Sequence, residues 1–431
     1  MGKDLQPAPV ERASYPARDG NRVRVLIDGS ETFAAIGERV RCASRSIWIT
    51  VSFVDLDFRL PDGPVPFLDE LDAAASRGVD VRLLFWWSEF PGIGSFRGDA
   101  TALEDMARRG VRVKMRWDHV PRGCHHQKSY VVDSEVAYVG GINLTGDGLS
   151  TREHTTPGHH DVFAEVEGPA VADVAENFAQ RWNQASRFDG QGHAFPSTDA
   201  AGRVDAVAIP EDRGSTTVQL VRTIRRGLYR GARGWSPVHG FDLADGEQSV
   251  QDAVHRWIGA ARTLIYIENQ YILATETLAL LARAAARGVD VIVVAPYRPD
   301  PNLVLYPKEL MAETRAALDA LAGEKRFGLF GLLRPGNDDE PIYVHAKVMI
   351  VDDELLSIGS ANLWPPSYNR DSELALCVWD PRLARTTRGR LWAEHLGDAG
   401  HTGLDDWRRL AHERTPPSRI VAIDPASYYR F

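Results

Sequence analysis

The chain has 431 residues and a net charge of −9. That length suits two or three ordinary domains, and the acidic total excludes a global basic field of the kind that gathers nucleic acid or anionic lipid, while leaving room for a local basic cleft. Three cysteines (Cys42, Cys124, Cys377) without a CxxC pair exclude a disulfide framework and fit a reducing compartment.

Residues 1–21 form a polar N-terminal extension without the apolar stretch of a secretory signal. Gly2 invites a myristoylation reading, but Gln6 stands where Ser or Thr is wanted. No run of 18 apolar residues predicts a membrane span. The expected location is the cytoplasm, with transient contact at the inner face of a membrane.

Residues 22–186 read as a first unit. Residues 31–42 predict a helix, "SIWITVS" a strand, and 66–77 an Ala/Leu-rich helix stopped by Gly78. The strand "VDVRLLFW" follows, and then the hairpin "YVVDSEVAYVG", turning at Asp133-Ser134-Glu135. Residues 187–215, rich in Gly, Ser, Pro and Asp, read as an interlobe connection. Residues 216–395 repeat the order: helix 249–260, strand "TLIYIEN", helix 276–287 stopped by Gly288, strand "VDVIVVA", and hairpin "VMIVDDELLSIG", turning at Asp352-Asp353-Glu354. Residues 384–396 and 403–412 read as helices, and 396–431 as a closing helix and irregular tail. Near-continuous apolar strands alternating with helices predict an α/β fold of two α/β/α repeats, each a mixed sheet covered by helices.

The duplication is explicit. "AAASRGVDVRLLFWW" matches "RAAARGVDVIVVAPY", and "HQKSYVVDSEVAYVGGIN" matches "HAKVMIVDDELLSIGSAN". The second match keeps its spacing throughout, with His126, Lys128, Asp133 and Asn143 answering to His345, Lys347, Asp352 and Asn362. Packed about a pseudo-twofold axis, the two hairpins would build one site from two copies.

Side chains two apart on a strand share a face, so each His stands beside its Lys. Asn143 and Asn362 follow glycine-containing turns, where backbone can approach a ligand. Two imidazoles, two ammonium groups and two amides suit a tetrahedral phosphodiester. One deprotonated histidine can attack phosphorus while the other, protonated, serves the leaving oxygen. The lysines would balance charge on the nonbridging oxygens, a role metals fill elsewhere, so no metal or cofactor is required. Only six of the 50 basic residues are lysines, and two of them fall here, which points to a need for a compact point charge. Asp161 and Glu373, on equivalent strand-like segments, can fix the histidine tautomers.

This duplicated HxKxxxxD…G(G/S)xN pattern resembles that of the phospholipase D superfamily, the HKD family. "HHQK", "IYIENQ", "YVHAKVMIVDD", "IGSAN", "RDSELA" and "GPAVADVAENFAQRWN" look like its phospholipase D branch, and the likeness spans roughly 22–186 and 216–395. The resemblance implies one active site between the repeats and metal-independent cleavage through a phosphohistidine. It implies His126 as nucleophile, His345 as acid/base, Asp161 and Glu373 as their partners, and Asp133 and Asp352 as hairpin ties. The implied activity is hydrolysis or transphosphatidylation of glycerophospholipids, with water or an alcohol as acceptor. Cardiolipin-synthase-like phosphatidyl transfer, nuclease action, and a non-catalytic binding member are the alternatives. The acidic total counts against nucleic acid as a partner, and intact HxK pairs count against a binding-only role. "LWPPSYNRD" is shorter than the family's usual loop after Asn362, with prolines in place of a polar pair, so the acceptor-side loop should differ.

Other residues near the pattern carry weaker signals. His125 and His159 are expected to face away from the site. Glu268, Asn269 and Gln270 end a buried strand and either line the cleft or cap the sheet. His154, His239 and the remaining histidines attract no role. "FWWSEFPGIGSF" (85–96) is either core under a loop or an exposed aromatic patch (Trp86, Trp87, Phe90, Ile93, Phe96) that contacts lipid.

Overall fold

The computed structural model describes residues 6–87, 110–120, 122–185, 202–205, 207–228, 243–301, 303, 306–397, 400, 403–414 and 416–429. In the first repeat the strands lie in the order Ala17–Ile27, Val162–Glu167, Val136–Gly140, Ser129–Val132, Ser46–Thr50, Asp80–Trp87, Lys114–His119. The second repeat has the same order: Thr216–Ile224, Glu373–Trp379, Leu355–Gly359, Lys347–Val351, Leu264–Asn269, Asp290–Val294, Phe327–Arg334. In each sheet the last two pairings are parallel and the others antiparallel.

The inner faces of both sheets share one apolar core with helices Ala170–Ala185 and Pro381–Leu396. Val131, Ala137 and Val139 of the first sheet and Val348, Ile358 and Leu376 of the second lie in it. The outer faces carry their own cores. Helix Asp28–Cys42 buries Phe33, Ile36 and Val40, one stripe of its surface, toward the first sheet. Helix Ser249–Ala260 buries Val250, Ala253 and Trp257 toward the second. Acidic residues in the first turn of Asp28–Cys42 and arginines in its last complement the helix dipole.

Three expectations need correction. The segment read as a polar extension enters the fold: the first strand begins at Ala17, and Val10, Ala13 and Tyr15 are buried. That strand also pairs with Thr216–Ile224, so it joins the two sheets. The tail is not irregular throughout, because Ile420–Ala422 adds an antiparallel strand beside Phe330–Leu332 and Pro425–Tyr428 is helical. Most of 187–215 up to Ala201, and Phe90, Ile93 and Phe96, lie outside the described residues. Trp86 is buried and meets Phe53 edge-on at 5.6 Å, so it does not belong to an exposed patch, whereas Trp87 is half-buried and meets His119 at 4.6 Å.

The hairpins turn through left-handed residues, Asp133 and Ser134 (φ 53° and 56°) and Asp352 and Asp353 (φ 54° and 56°), in three-residue connections between the paired Val132 and Val136 and between Val351 and Leu355. Asp133 accepts from the backbone N–H of Ser44, Arg45 and Ser46 at 2.9, 2.7 and 2.8 Å. Asp352 accepts from Arg262, Thr263 and Leu264 at 2.9, 2.7 and 2.9 Å. Each carboxylate thus ties its hairpin to the start of the neighbouring strand, on the far edge from the histidines. Asp352→Ala is expected to cost about 1–2 kcal/mol by releasing these donors. Thermal unfolding should shift down by a few degrees while turnover per folded molecule stays level; lost turnover at an unchanged melting temperature would place Asp352 in the chemistry instead.

Candidate active site

Each motif histidine is placed by a short pairing with the opposite repeat. His125 bridges Ser372 in parallel; the His126 N–H donates to the Ser372 carbonyl and the Ser372 N–H to Cys124, both at 2.9 Å. On the other side Tyr343 and Val344 pair with His159 and His160, and the N–H groups of His345 and Ala346 donate to the His160 carbonyl at 2.8 and 3.0 Å. The register sets each ring against the acid that follows its partner segment. His126 Nδ1 lies 2.9 Å from Glu373 Oε2, and His345 Nδ1 lies 2.6 Å from Asp161 Oδ2. The pairs cross: each imidazole meets the carboxylate of the other repeat.

The lysines share the histidines' strands. Lys128 Nζ donates to Ser52 Oγ at 2.9 Å and to the His126 carbonyl at 2.7 Å. Lys347 Nζ donates to Gln270 Oε1 at 3.1 Å and to the His345 carbonyl. Both are buried, and among the described residues neither is ion-paired. Burial pushes Lys128 down to about 8 and Lys347 down to about 7. Burial also pushes Asp161 and Glu373 up to about 7 each. It holds both imidazoles well below their ordinary value, the lysines adding to the effect. Two buried ammonium groups without carboxylate partners form a receptor for an anion, which would supply the counter-charge they lack.

The two carboxylates are held differently. Glu373 accepts from Ser360 Oγ and Ser367 Oγ, each at 2.5 Å. Asp161 accepts from the Val162 N–H at 2.8 Å, and its own N–H reaches Asp28 Oδ1 at 3.2 Å. Ser367 sits in the short helix Pro365–Asn369, so the proline-containing loop packs against Glu373 on the His126 side. Asn143 Oδ1 accepts from the N–H groups of Ser52 and Phe53 at 3.2 and 3.3 Å. Asn362 Nδ2 reaches Gln270 Oε1 at 3.4 Å.

A cavity of about 710 Å³ opens beside His345, lined among others by Phe53, Asn143, Asp161, Gln270, Tyr343 and His345. Three carboxylates, Asp55, Asp147 and Asp300, also border it. His126, both lysines and Asn362 do not line it. His159 was expected to face away, yet it lines this cavity and stacks on His345 with ring centroids 5.2 Å apart, because its bridge to Tyr343 runs beside the His345 strand. His125 does turn away, toward Thr50, Ser372 and Asp118. Of the strand-end trio, Gln270 lines the cavity, Asn269 caps the N–H groups of Tyr271 and Leu363, and Glu268 is fully buried elsewhere.

Glu268 belongs to a cluster that sequence reasoning missed: Asp28, His154, His160, Glu268, Glu394 and His395, all buried. The available signal was a charge inside the apolar strand "LIYIEN" and the "GHHD" and "EHL" runs. Subsets of this cluster have the donor types of a metal site. Four of the six ring nitrogens, however, already meet carboxylate oxygens at separations of 2.8–3.2 Å, which protons satisfy, while His154 Nδ1 and His395 Nδ1 are buried without a hydrogen-bond partner among the described residues. His239 lies outside the described residues. Among the described residues no helix is long and apolar enough to cross a membrane.

Comparison with known proteins follows the same duplication. A family profile described as "Cardiolipin synthase, PLD-like domain" matches residues 36–182 and 254–393, and one described as "Phospholipase D" matches 154–286. Cardiolipin synthase A of Pseudomonas syringae pv. syringae is 27% identical over 88% of this chain and 70% of its own length. Phospholipase D A of Dictyostelium discoideum is also 27% identical, over 89% of this chain but 36% of its own length. The crystal structure of phosphatidylserine synthase from Haemophilus influenzae Rd KW20 shares the fold at a TM-score of 0.59 and 15% identity, covering 88% of this chain and 86% of that one. With the profile matched across both repeats, and the repeats crossed at their histidines, the chain belongs to the phospholipase D superfamily.

Proposed function

We propose that this chain is a phosphatidyl-transferring phosphodiesterase. It would cleave a glycerophospholipid through a phosphohistidine and pass the phosphatidyl group to water or an alcohol. The observation that carries the reading is the pair of crossed His–carboxylate bonds beside two buried, unpaired lysines. With Nδ1–H donated to Glu373, His126 presents its Nε2 lone pair. That nitrogen bonds to phosphorus while the P–O bond to the head group breaks. His345, Nδ1–H on Asp161, gives its Nε2 proton to the departing oxygen. It then takes a proton from the acceptor hydroxyl, whose oxygen attacks phosphorus and releases His126. Lys128 and Lys347 balance the charge on the nonbridging oxygens, and the amides of Asn143 and Asn362 complete the phosphate cradle.

A second reading, phosphatidyl transfer between lipids as in a cardiolipin synthase, is favoured by the cavity beside His345 and by the names of the relatives. Its Asp55, Asp147 and Asp300 can accept from the hydroxyls of a polyol acceptor. The same carboxylates would repel a nucleic-acid strand. Vesicles of phosphatidylcholine with a short alcohol, of phosphatidylglycerol alone, and single-stranded DNA separate the three activities. The reading expects phosphatidyl products from lipid and none from DNA; cleaved DNA with intact lipid would overturn it.

His126→Ala should abolish turnover and covalent phosphate capture. His345→Ala should abolish turnover with lipid but let labelled phosphate accumulate on His126 from a substrate with an activated leaving group. Label on His345 in the wild-type protein would reverse the roles.

The lysines set the alkaline limit. Their lowered values mean that the ammonium form is lost as pH rises past about 7 for Lys347 and about 8 for Lys128. Accordingly, kcat/KM should begin to fall as pH rises past about 7 and fall more steeply past about 8, since it reports the protein before substrate binds. Lys128→Arg should lose on the order of 100-fold or more, because a planar fork cannot replace a point charge. Chelators should leave turnover intact; loss with EDTA that one cation restores would defeat the lysine assignment.

A further inference from the structure

The buried cluster beside the site has a proton count that can be read from its contacts. His160 is fully buried, with Nδ1 3.0 Å from Asp28 Oδ1 and 3.2 Å from Glu394 Oε1, and Nε2 2.8 Å from Glu268 Oε2. Both ring nitrogens therefore face carboxylate oxygens. An ionised carboxylate only accepts, so each nitrogen must carry a hydrogen and the ring is an imidazolium. Glu268 acts as an acceptor toward its other partners as well, receiving Tyr266 Oη at 2.5 Å and His395 Nε2 at 2.9 Å. Burial alone would strip the proton from His160; the Glu268 and Asp28 carboxylates outweigh it and hold the ring well above the ordinary imidazole value.

His160 is joined directly to the catalytic side. Its carbonyl accepts from both His345 and Ala346. The next residue is Asp161, whose N–H reaches the Asp28 carboxylate that His160 also holds. We propose that His160 is a positioning residue: a standing buried cation that favours the ionised form of Asp161 beneath His345 and fixes the His345 backbone. The inference rests on the role of His345 given under the proposed function. Around Asp161 stand His345, Lys347, Lys128 and Asp28 as well as His160. The two lysines lose their charge as pH approaches 7 to 8, whereas the imidazolium persists. Around His160 stand Asp28 at the start of its helix, Glu268 on its strand, Glu394 and His395 on helix Pro381–Leu396, and His154 on the loop before. Three imidazoles thus answer three carboxylates. Glu373, on the nucleophile side, accepts from the Ser360 and Ser367 hydroxyls besides His126, and the cations acting on it are the two shared lysines. The difference suits the chemistry, because His345 alone must cycle between charged and neutral forms, and a cation behind Asp161 favours the ionised acid over which it cycles.

The sign of the effect follows. Without the cation, Asp161 binds its proton more tightly, so the form that supports His345 is lost at a higher pH. The test is the pH dependence of kcat/KM on a soluble short-chain phosphodiester for the wild type, His160→Gln, and the charge-compensated pair His160→Gln/Glu268→Gln. Expected are a loss in kcat of about 10- to 100-fold with KM little changed, and an acid limb displaced upward by about one pH unit in both variants. Restored melting temperature in the double variant should not restore the limb. An unmoved acid limb in a folded variant overturns the proposal. A measurement on the wild type stands independently of variant folding: ¹⁵N shifts of the His160 ring at pH 8 should show both nitrogens protonated, and a neutral tautomer overturns it. His345→Ala serves as the control. If that variant keeps turnover, the functional reading fails; if it is inactive while the limb stays put, only the role of His160 fails.

Discussion

Neither motif histidine is complete within its own repeat. Each donates the hydrogen bond that sets its tautomer to a carboxylate on the other half, His126 to Glu373 and His345 to Asp161. A ring with an undefined tautomer cannot present a lone pair or a proton at a chosen atom. Both lobes must therefore be docked, in register, before either histidine can act. The rest of the architecture serves that requirement. The inner faces of the sheets merge in one apolar core, the Ala17–Ile27 strand pairs with both sheets, and two short parallel bridges bring His125 to Ser372 and Val344 to His160. Close packing of this kind has little tolerance for sliding.

The frame is nearly symmetric, but the surroundings of the two rings are not. The cavity with its carboxylate wall and the stacked His159 belong to His345. The serine hydroxyls and the proline-opened helix belong to His126. The two half-sites thus differ in the loops around them, and in the mechanism proposed above that difference would suit one ring to hold phosphorus and the other to exchange protons with an incoming or departing hydroxyl.

Much of this was legible in the sequence, for identifiable reasons. The repeat keeps its His–Lys–Asp–Asn spacing, the strands are apolar runs of the right length, and Gly78 and Gly288 stop their helices, so the α/β class and the converging residues could be read directly. The crossing could not. His345 and Asp161 are 184 residues apart, and His126 and Glu373 are 247 apart, joined by bridges of one or two residues that leave no hydropathy period. His159 was misread because alternation along a strand predicts its face only when the strand partner is known. The buried cluster escaped because its members come from a helix start, a loop, two strands and helix Pro381–Leu396, each with a bland local explanation. Only Glu268, a charge within a buried strand, departed from its surroundings. The first strand was hidden by its arginines, whose charges pair with Asp173, Glu167 and Glu165 beside the sheet.

The most direct measurement of the crossed arrangement is the ¹⁵N resonance of the Nδ1 atoms of His126 and His345 in ring-labelled protein, compared among wild type, Asp161→Asn and Glu373→Gln. The account predicts that Asp161→Asn moves the His345 resonance and leaves His126 in place, and that Glu373→Gln does the reverse. If each histidine answers instead to the acid of its own repeat, the two halves are not joined as described and the single shared site is wrong.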